Sequence, residues 1–289
     1  MPNSSIIPIL ENGIQVYPET IEEAVSDANG VTLDVKMADI LNRITVLEHQ
    51  KEMDQLLARV SNNYGGIVGK EDVVETFFRS LGADGTNDIW GKIKALYMPC
   101  LAIPSDGAKA LYNIITEINY PGSSYTVEAK RGIGPTTMGG SIGANFISTI
   151  LDENMSGFCV VTQSARQTLS NSSGAMIGIY GTYITWKRTE ITVSDGTSSA
   201  SVPNNDAFTK PNFIVLSKKV NGLRTLTGRD GNTTTDVTKQ NNDLYLSGPA
   251  AWADTSIYAL CDGLTADESA IVSAAIETFI TDFGIECAN

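Results

Sequence analysis

The N-terminal part of the chain shows two different patterns of apolar side chains. Residues 1–31 contain prolines and glycines, and their apolar residues follow neither a helical nor a strand period, which predicts an extended arm. The next apolar residues recur at alternating steps of four and three: Leu33, Met37, Ile40, Ile44 and Leu47. This is the spacing of a and d positions in a coiled coil, so residues 32–62 are predicted to form a short stalk. Isoleucine at both core positions favours a trimer.

The coiled-coil pattern breaks where the next core positions would be Lys51 and Asp54. Apolar residues resume in a shifted phase at Met53, which indicates a stutter or a turn. The alternative is an amphipathic helix that packs on its own domain. Further helical patterns cover 71–81, 87–97 and a stretch from Ser105 to Ile118, so residues 63–119 are predicted to form a helical neck.

From Tyr120 onward, turn signals such as Pro121-Gly122, Asn221-Gly222 and Asp230-Gly231 separate short β-rich runs. The strand candidates are 125–129, 158–162, 175–180, 183–188, 191–193, 213–219 and 243–246. A final helix is predicted from Thr265 or Asp267 to Phe283. Residues 120–289 are therefore predicted to be an antiparallel β-sandwich, of the jelly-roll or concanavalin-like kind, with a terminal α-helix. The whole chain is placed in the α+β class.

Composition narrows the classes of partner. The net charge of −13 at pH 7 argues against nucleic-acid binding, which needs Lys and Arg to neutralise phosphates. The cysteines form no C-x-x-C pair and His49 is the single histidine, so neither a metal nor another cofactor is expected. Widely separated cysteines are expected to be buried thiols. The N-terminus lacks a basic signal-peptide region and no stretch approaches the roughly 18 apolar residues of a membrane span, so cytoplasmic synthesis without membrane insertion is expected.

Two segments resemble known phage proteins. Residues 7–20, continued by Glu23-Ala24-Val25 and residues 30–33, resemble the attachment region that opens head and tail fibre proteins of gut bacteriophages, including the crAss-like phages. Residues 243–248, leading to residues 258–268, resemble the closing strand, Leu-Thr-x-x-Glu turn and final helix of concanavalin-like (laminin-G-like) sandwich domains in phage appendages. The resemblance implies a homotrimeric fibre on the virion surface, made in a bacterial host, whose sandwich faces outward and contacts host glycans.

Each part of this interpretation has candidate residues. The stalk residues from Leu33 to Leu47 given above are expected to form the trimer. The residues expected to dock the arm on a phage capsid or tail protein are Ile7, Ile9, Leu10, Val16 and Tyr17. Glycan binding needs exposed aromatic rings beside Asp or Asn side chains. The candidates are Tyr183, Trp186, Asp230, Asn232 and Trp252. The alternative is that Trp186 lies in the core and Trp252 packs on the final helix.

The expected function is a head fibre or capsid decoration that adheres to the host surface. One alternative of the same class is a tail fibre or receptor-binding component. The others are a structural spacer and a polysaccharide-degrading enzyme on the same scaffold.

Catalysis is not expected. Its carboxylate candidates all lie in turn-like segments where aspartate bonds its own backbone: Asp195, Asp206, Asp230, Asp236 and Asp243. A Ser-His-Asp triad would have to use His49, which falls within the predicted stalk.

Overall fold

The computed structural model describes residues 9–11, 14–16, 33–104, 109–119, 125–135, 142–143, 155–163, 176–179, 182–186, 189–195, 197–205, 209–237, 245–247 and 253–287. The chain divides into two units, Met1–Asp54 and Gln55–Asn289.

The first unit contains a short strand pair and the beginning of a long helix. Strand β1 (Ile9–Glu11) pairs antiparallel with β2 (Ile14–Val16), so the described part of the predicted arm is extended backbone. Helix α1 covers Leu33–Tyr64. It begins where the four-and-three spacing predicts, and it continues past the predicted end of the stalk at residue 62.

The last turns of α1 belong to the second unit and are anchored there. Leu56, Val60 and Tyr64 are buried. The Tyr64 hydroxyl donates a hydrogen bond to the Tyr112 carbonyl and accepts one from the Met98 backbone N–H at 3.0 Å. In this part of α1, the alternative of an amphipathic helix on its own domain is the correct one.

Helix α2 (Glu71–Ser80) confirms the helix predicted over 71–81. Its buried residues Val74, Phe77 and Phe78 lie on one face. The ring of Phe77 packs against Phe279 of the C-terminal helix, with ring centroids 4.7 Å apart. The apolar face of α2 is thus covered within the same chain.

The helix predicted over 87–97 is wrong in its second half. Helix α3 (Ile89–Lys92) is short, and the chain continues directly as strand β3 (Ile93–Tyr97). β3 is buried at every position except Lys94, and it pairs antiparallel with a C-terminal strand. A short run with apolar residues at nearly every position is compatible with either a helix or a strand. Here the hydrogen bonds to a neighbouring strand stabilise the strand.

The helix predicted from Ser105 is also wrong over its described residues. A 3-10 turn covers Pro99–Leu101, and residues 109–119 form turns. The Asn113 side-chain oxygen accepts the backbone N–H groups of Leu96 and Ile115, at 3.3 and 3.0 Å. Asparagine that bonds backbone N–H groups in this way competes with helix formation. The neck is therefore helical in part only.

The second unit is built on a mostly antiparallel β-sandwich. Its large sheet has 8 strands in the order β14-β13-β12-β7-β16-β5-β4, with β3 also paired to β16. Its strands besides β3 are β4 (Tyr125–Glu128), β5 (Gly132–Pro135), β7 (Met155–Gln163), β12 (Asn212–Leu216), β13 (Arg224–Gly228), β14 (Gly231–Thr235) and β16 (Ala253–Asp262). β16 therefore lies inside the sheet, with β7 on one side and both β5 and β3 on the other.

The second sheet has 4 strands in the order β11-β10-β9-β8. Its strands are β8 (Met176–Ile179), β9 (Thr182–Trp186), β10 (Glu190–Ser194) and β11 (Ser199–Pro203). Val202 of this sheet packs over Gly228 of the large one. A further pair joins β6 (Ile142–Gly143) to β15 (Tyr245–Ser247).

Helix α4 (Ala266–Phe283) closes the fold and confirms the predicted terminal helix. It begins at a capping box: Thr265 Oγ1 accepts the Glu268 N–H at 3.2 Å, and the Glu268 carboxylate accepts the Thr265 N–H at 2.8 Å. α4 packs on β12 and β13 and covers one face of β12, all of whose residues are buried.

Candidate self-association and binding surfaces

The first half of α1 exposes a continuous row of large apolar side chains, here called the α1 stripe. The stripe consists of Met37, Ile40, Ile44 and Leu47, whose exposed fractions are 53, 52, 45 and 68%. Leu33 continues it at the start of the helix, but its side chain lies outside the described residues. Residues at alternating steps of three and four share one side of a helix, so these side chains form a single surface.

The α1 helix exposes apolar residues beyond the stripe as well. Leu41, 60% exposed, lies directly beside it and widens it on one flank. Val35 and Val46 are 58 and 59% exposed and lie on the opposite side of the helix. Leu41 was missed in the sequence because it does not fit the four-and-three spacing.

Charged residues border the α1 stripe. Arg43 lies on one flank and Glu48 on the other, and both are exposed. Lys51 falls within the line of the stripe itself and ends it as an apolar surface. The stripe thus ends at Lys51, and it has a positive residue on one flank and a negative residue on the other.

The proposed docking residues of the arm fall partly on the short strand pair. Ile9 pairs with Val16 and Leu10 with Gln15. Ile7 and Tyr17 lie outside the described residues. The docking role of all these residues stays a prediction.

The outer side of the four-stranded sheet carries small hydroxyl residues, and we call it the β10–β11 face. Along β10 and β11, these hydroxyl residues alternate with Ile191, Val193 and Val202, which point to the other side of the sheet and are buried in the core. On the face itself, the hydroxyl oxygens of Thr192 and Ser201 lie 3.0 Å apart. Serines and threonines at alternate strand positions are common on solvated sheets, so no pattern in the sequence distinguishes this surface.

For two of the aromatic glycan candidates, only the backbone pairing within this sheet is described. Tyr183 pairs with Ser194 of β10, and Trp186 pairs with the buried Ile191. The side chains of both lie outside the described residues, as does the whole of Trp252. Their binding roles, and the alternative core role of Trp186, stay predictions.

Asp230 is engaged by neighbouring groups in a turn. Its two carboxylate oxygens accept hydrogen bonds from Arg229 Nε and Nη2, each at 2.8 Å, and one also accepts the Asn205 N–H at 2.8 Å. The hydrogen bonds from Arg229 hold the pKa of Asp230 below its usual value despite partial burial. Asp230 therefore joins the β13–β14 turn to the loop after β11. Asn232, one residue into β14, is exposed.

Asp195 has the turn role predicted for it. It is buried, and its carboxylate accepts the backbone N–H groups of Thr197 and Ser198 at 2.8 and 2.7 Å. Within the described ranges, His, Cys, Asp and Glu side chains form no group of three that could hold a metal ion. No helix among the same residues is long and apolar enough to cross a membrane.

No protein-family model and no curated protein sequence matches this chain. Its fold is similar to the binding domain of botulinum neurotoxin serotype D, with 12% identity and a TM-score of 0.46 over 66% of this chain and 53% of that one. The chain thus spans about half the length of that structure. It is also similar to domain 4 of AbnA, a GH43 extracellular arabinanase from Geobacillus stearothermophilus, in complex with arabinotriose, with 12% identity and a TM-score of 0.37 over 64% of this chain and 98% of that domain.

Proposed function

We propose that the chain is a bacteriophage virion protein, a head fibre or capsid decoration, that associates as a homotrimer through α1 and presents its sandwich to glycans of the host surface. The observation that carries the proposal is the α1 stripe, because large apolar residues in one continuous row are exposed to solvent. Soluble monomers rarely expose such contiguous surfaces, and those that exist mark interaction sites.

A second and third copy of the same helix fit the stripe. Burying one large apolar side chain contributes about 1.5–3 kcal/mol, so four layers provide enough free energy to hold short helices together. Ile40 and Ile44 occupy the two kinds of core position, and isoleucine at both favours three helices over two.

The resemblance of residues 7–20, 23–25 and 30–33 to the attachment region of phage fibres supports the virion location. An arm of this kind gains its stability by lying on another protein, which here is a capsid or tail protein of the phage. A tail fibre would use the same surfaces. The virion protein that crosslinks to the arm distinguishes the two locations.

The β10–β11 face supports the adhesion role. Thr192 and Ser201 offer hydroxyl groups that donate and accept hydrogen bonds, as sugar recognition requires, and Tyr183 pairs with Ser194, two positions after Thr192 on β10. Asn232 adds an exposed amide on β14. A face of this kind suits weak binding to many copies of a sugar, which a trimeric fibre strengthens through multivalency.

Self-association is tested by the mass of the full chain in solution, measured by light scattering. We expect a trimer for the unmodified protein and a monomer for the double variant Ile40→Asp/Ile44→Asp, because charges in the stripe cannot be buried. The matched control, Val35→Asp/Val46→Asp, places the same charges on equally exposed residues off the stripe and should remain a trimer. A monomeric unmodified protein at high concentration would overturn the proposal.

Adhesion is tested by binding of the fluorescently labelled protein to an array of bacterial surface polysaccharides. We expect binding that Thr192→Glu/Ser201→Glu abolishes, since carboxylates on the β10–β11 face repel acidic sugars and displace neutral ones. Thr116→Glu, on an exposed turn outside both sheets, is the control and should bind normally. Binding that survives the double change would remove the face from the proposal, and the absence of binding by the unmodified trimer would contradict the adhesion role.

A further inference from the structure

The charged residues beside the α1 stripe favour one relative orientation of the α1 helices in the proposed trimer. When Met37 and Ile44 are a positions, and Ile40 and Leu47 are d positions, Arg43 falls at g and Glu48 at e. These are the positions that flank the core of a coiled coil and contact the neighbouring helix. Both side chains are exposed, one on each flank of the stripe.

Building on the proposed trimer, we infer that the three α1 helices run parallel and in register, with Arg43 of each copy paired to Glu48 of the partner subunit. In a parallel coil, a g residue faces the e residue that lies five positions later in the next helix, and Glu48 is five positions after Arg43. In a trimer the same pair forms at each of the three interfaces.

An antiparallel arrangement is disfavoured by the same charges. It would bring g residues against g residues, so Arg43 would meet Arg43 or Lys36 of the other helix. Facing like charges repel each other, and they are a common means of excluding a wrong pairing.

A parallel arrangement shifted by one heptad is also disfavoured. It would place Arg43 opposite Leu41 or Gln55 and lose the opposite charge. It would also leave apolar layers of the stripe uncovered at one end of each helix. Lys51, in line with the stripe, marks where the shared core ends, since facing lysines there would repel.

The register is tested by crosslinking the variant Arg43→Cys/Glu48→Cys with a short bis-maleimide, since the g and e positions of neighbouring helices are too far apart for a direct disulfide. The g and e cysteines of neighbouring copies should be bridged around the ring and give a covalent trimer on a denaturing gel. A bridge between the two cysteines of one helix adds no second copy and does not change the mass on the gel. The control, Arg43→Cys/Val46→Cys, places the second cysteine on the outer side and should give no covalent trimer.

The failure of this inference and the failure of the proposed function have different readouts. Light scattering under reducing conditions gives the mass of the unmodified chain and of each variant. A trimer that does not crosslink through positions 43 and 48 overturns the register but leaves the trimer in place. An unmodified chain that is monomeric overturns the proposed self-association and this inference with it.

A charge exchange gives a second, independent measurement. Arg43→Glu should lower the melting temperature of the trimer, because three carboxylates then face Glu48. Arg43→Glu/Glu48→Arg restores opposite charges and should regain most of the loss. If the double exchange is as unstable as the single variant, the two residues do not pair.

Discussion

Glu268 links two helices that are far apart in the sequence. Its carboxylate accepts the Thr265 N–H at the start of α4 and lies 2.5 Å from the ammonium group of Lys92 in α3. Partial burial alone would raise the pKa of Glu268, but the hydrogen bonds from Lys92 and Thr265 outweigh it and place the pKa below the usual 4.5. The ionised form is therefore the one that stabilises the fold.

We predict that Glu268→Gln lowers the free energy of unfolding at pH 7 by about 1 kcal/mol, because the charged hydrogen bond to Lys92 is lost. A carboxyl whose pKa is lower in the folded state stabilises it above the unfolded pKa, and this contribution disappears as pH falls through the folded pKa. The difference between variant and unmodified protein should therefore shrink below pH 4.5. Urea unfolding at several pH values measures it.

Asp267→Asn is the control for this change. Asp267 lies one residue earlier and is exposed, so its replacement should have a small effect. An equal loss for Glu268→Gln at neutral and acid pH would show that the charge has no role.

At this scale the sequence predicts local contacts and misses distant ones. The Leu-Thr-x-x-Glu turn indicates a helix start, and the capping box between Thr265 and Glu268 confirms it. The contact from Lys92 joins residues 176 positions apart, and no local pattern encodes it. Asp230 shows the same limit. The sequence predicts that it lies in a turn, but its hydrogen bonds to Arg229 and Asn205 are seen only in the folded structure.

Strand β5 approaches β16 so closely that Gly132 has no room for a side chain. A Cβ atom at Gly132 would lie 1.9 Å from the Thr255 carbonyl oxygen, and its φ of +107° is one that other residues rarely adopt. Two independent constraints therefore require glycine at this point of the sheet.

We predict that Gly132→Ala lowers the free energy of unfolding by about 3 kcal/mol or more, from the combination of backbone strain and displacement of β16. Gly222→Ala is the matched control, since Gly222 also has a positive φ, +84°, but open space around it. The control should lose only about 1 kcal/mol, the cost of the strain alone. Equal losses in denaturant titrations would mean that the close approach is unimportant.

Division of the sequence into β-rich runs between turn signals predicted β4, β7, β8, β9, β10 and β12, and the structure confirms these strands. It did not predict β3, because Ile93 to Tyr97 are apolar at nearly every position and follow a short helical turn. It also did not predict β5, β11 and β16, or β13 and β14, whose threonines and glycines resemble a loop. Pairing with neighbouring strands decides these segments, and that information lies outside the segments themselves.

Burial protects the thiols throughout the second unit. Cys100, Cys159 and Cys261 are buried and form no disulfide, as the sequence predicts. Removal from water raises the pKa of each thiol, that of Cys159 to about 12. Only the thiolate is nucleophilic, so none of the three can react in the folded protein.

We predict that a thiol reagent labels these three cysteines only when the second unit unfolds, so that the labelling rate rises steeply with denaturant concentration. A Val46→Cys variant supplies an exposed thiol on α1 and should react at once under native conditions. Mass spectrometry of the labelled chain distinguishes the sites. Rapid native labelling of Cys159 or Cys261 would mean that the sandwich opens readily.

For the molecule as a whole, the sequence predicts the class of fold better than the roles of its surfaces. The four-and-three spacing identified the start of α1 and its apolar stripe, because helix geometry alone places those residues on one side. It could not show that α1 is anchored by Leu56, Val60 and Tyr64, since that anchoring depends on residues such as Tyr112 and Met98 in other segments.

The position of β16 means that the large sheet can be completed only late in translation. This strand, Ala253–Asp262, joins β7 to β5 and β3, yet the ribosome delivers it after every one of them. Until it emerges, the two parts of the large sheet expose unpaired inner edges, which are sites of aggregation and degradation. A chain truncated before this strand therefore lacks the strand that joins the two parts of the large sheet.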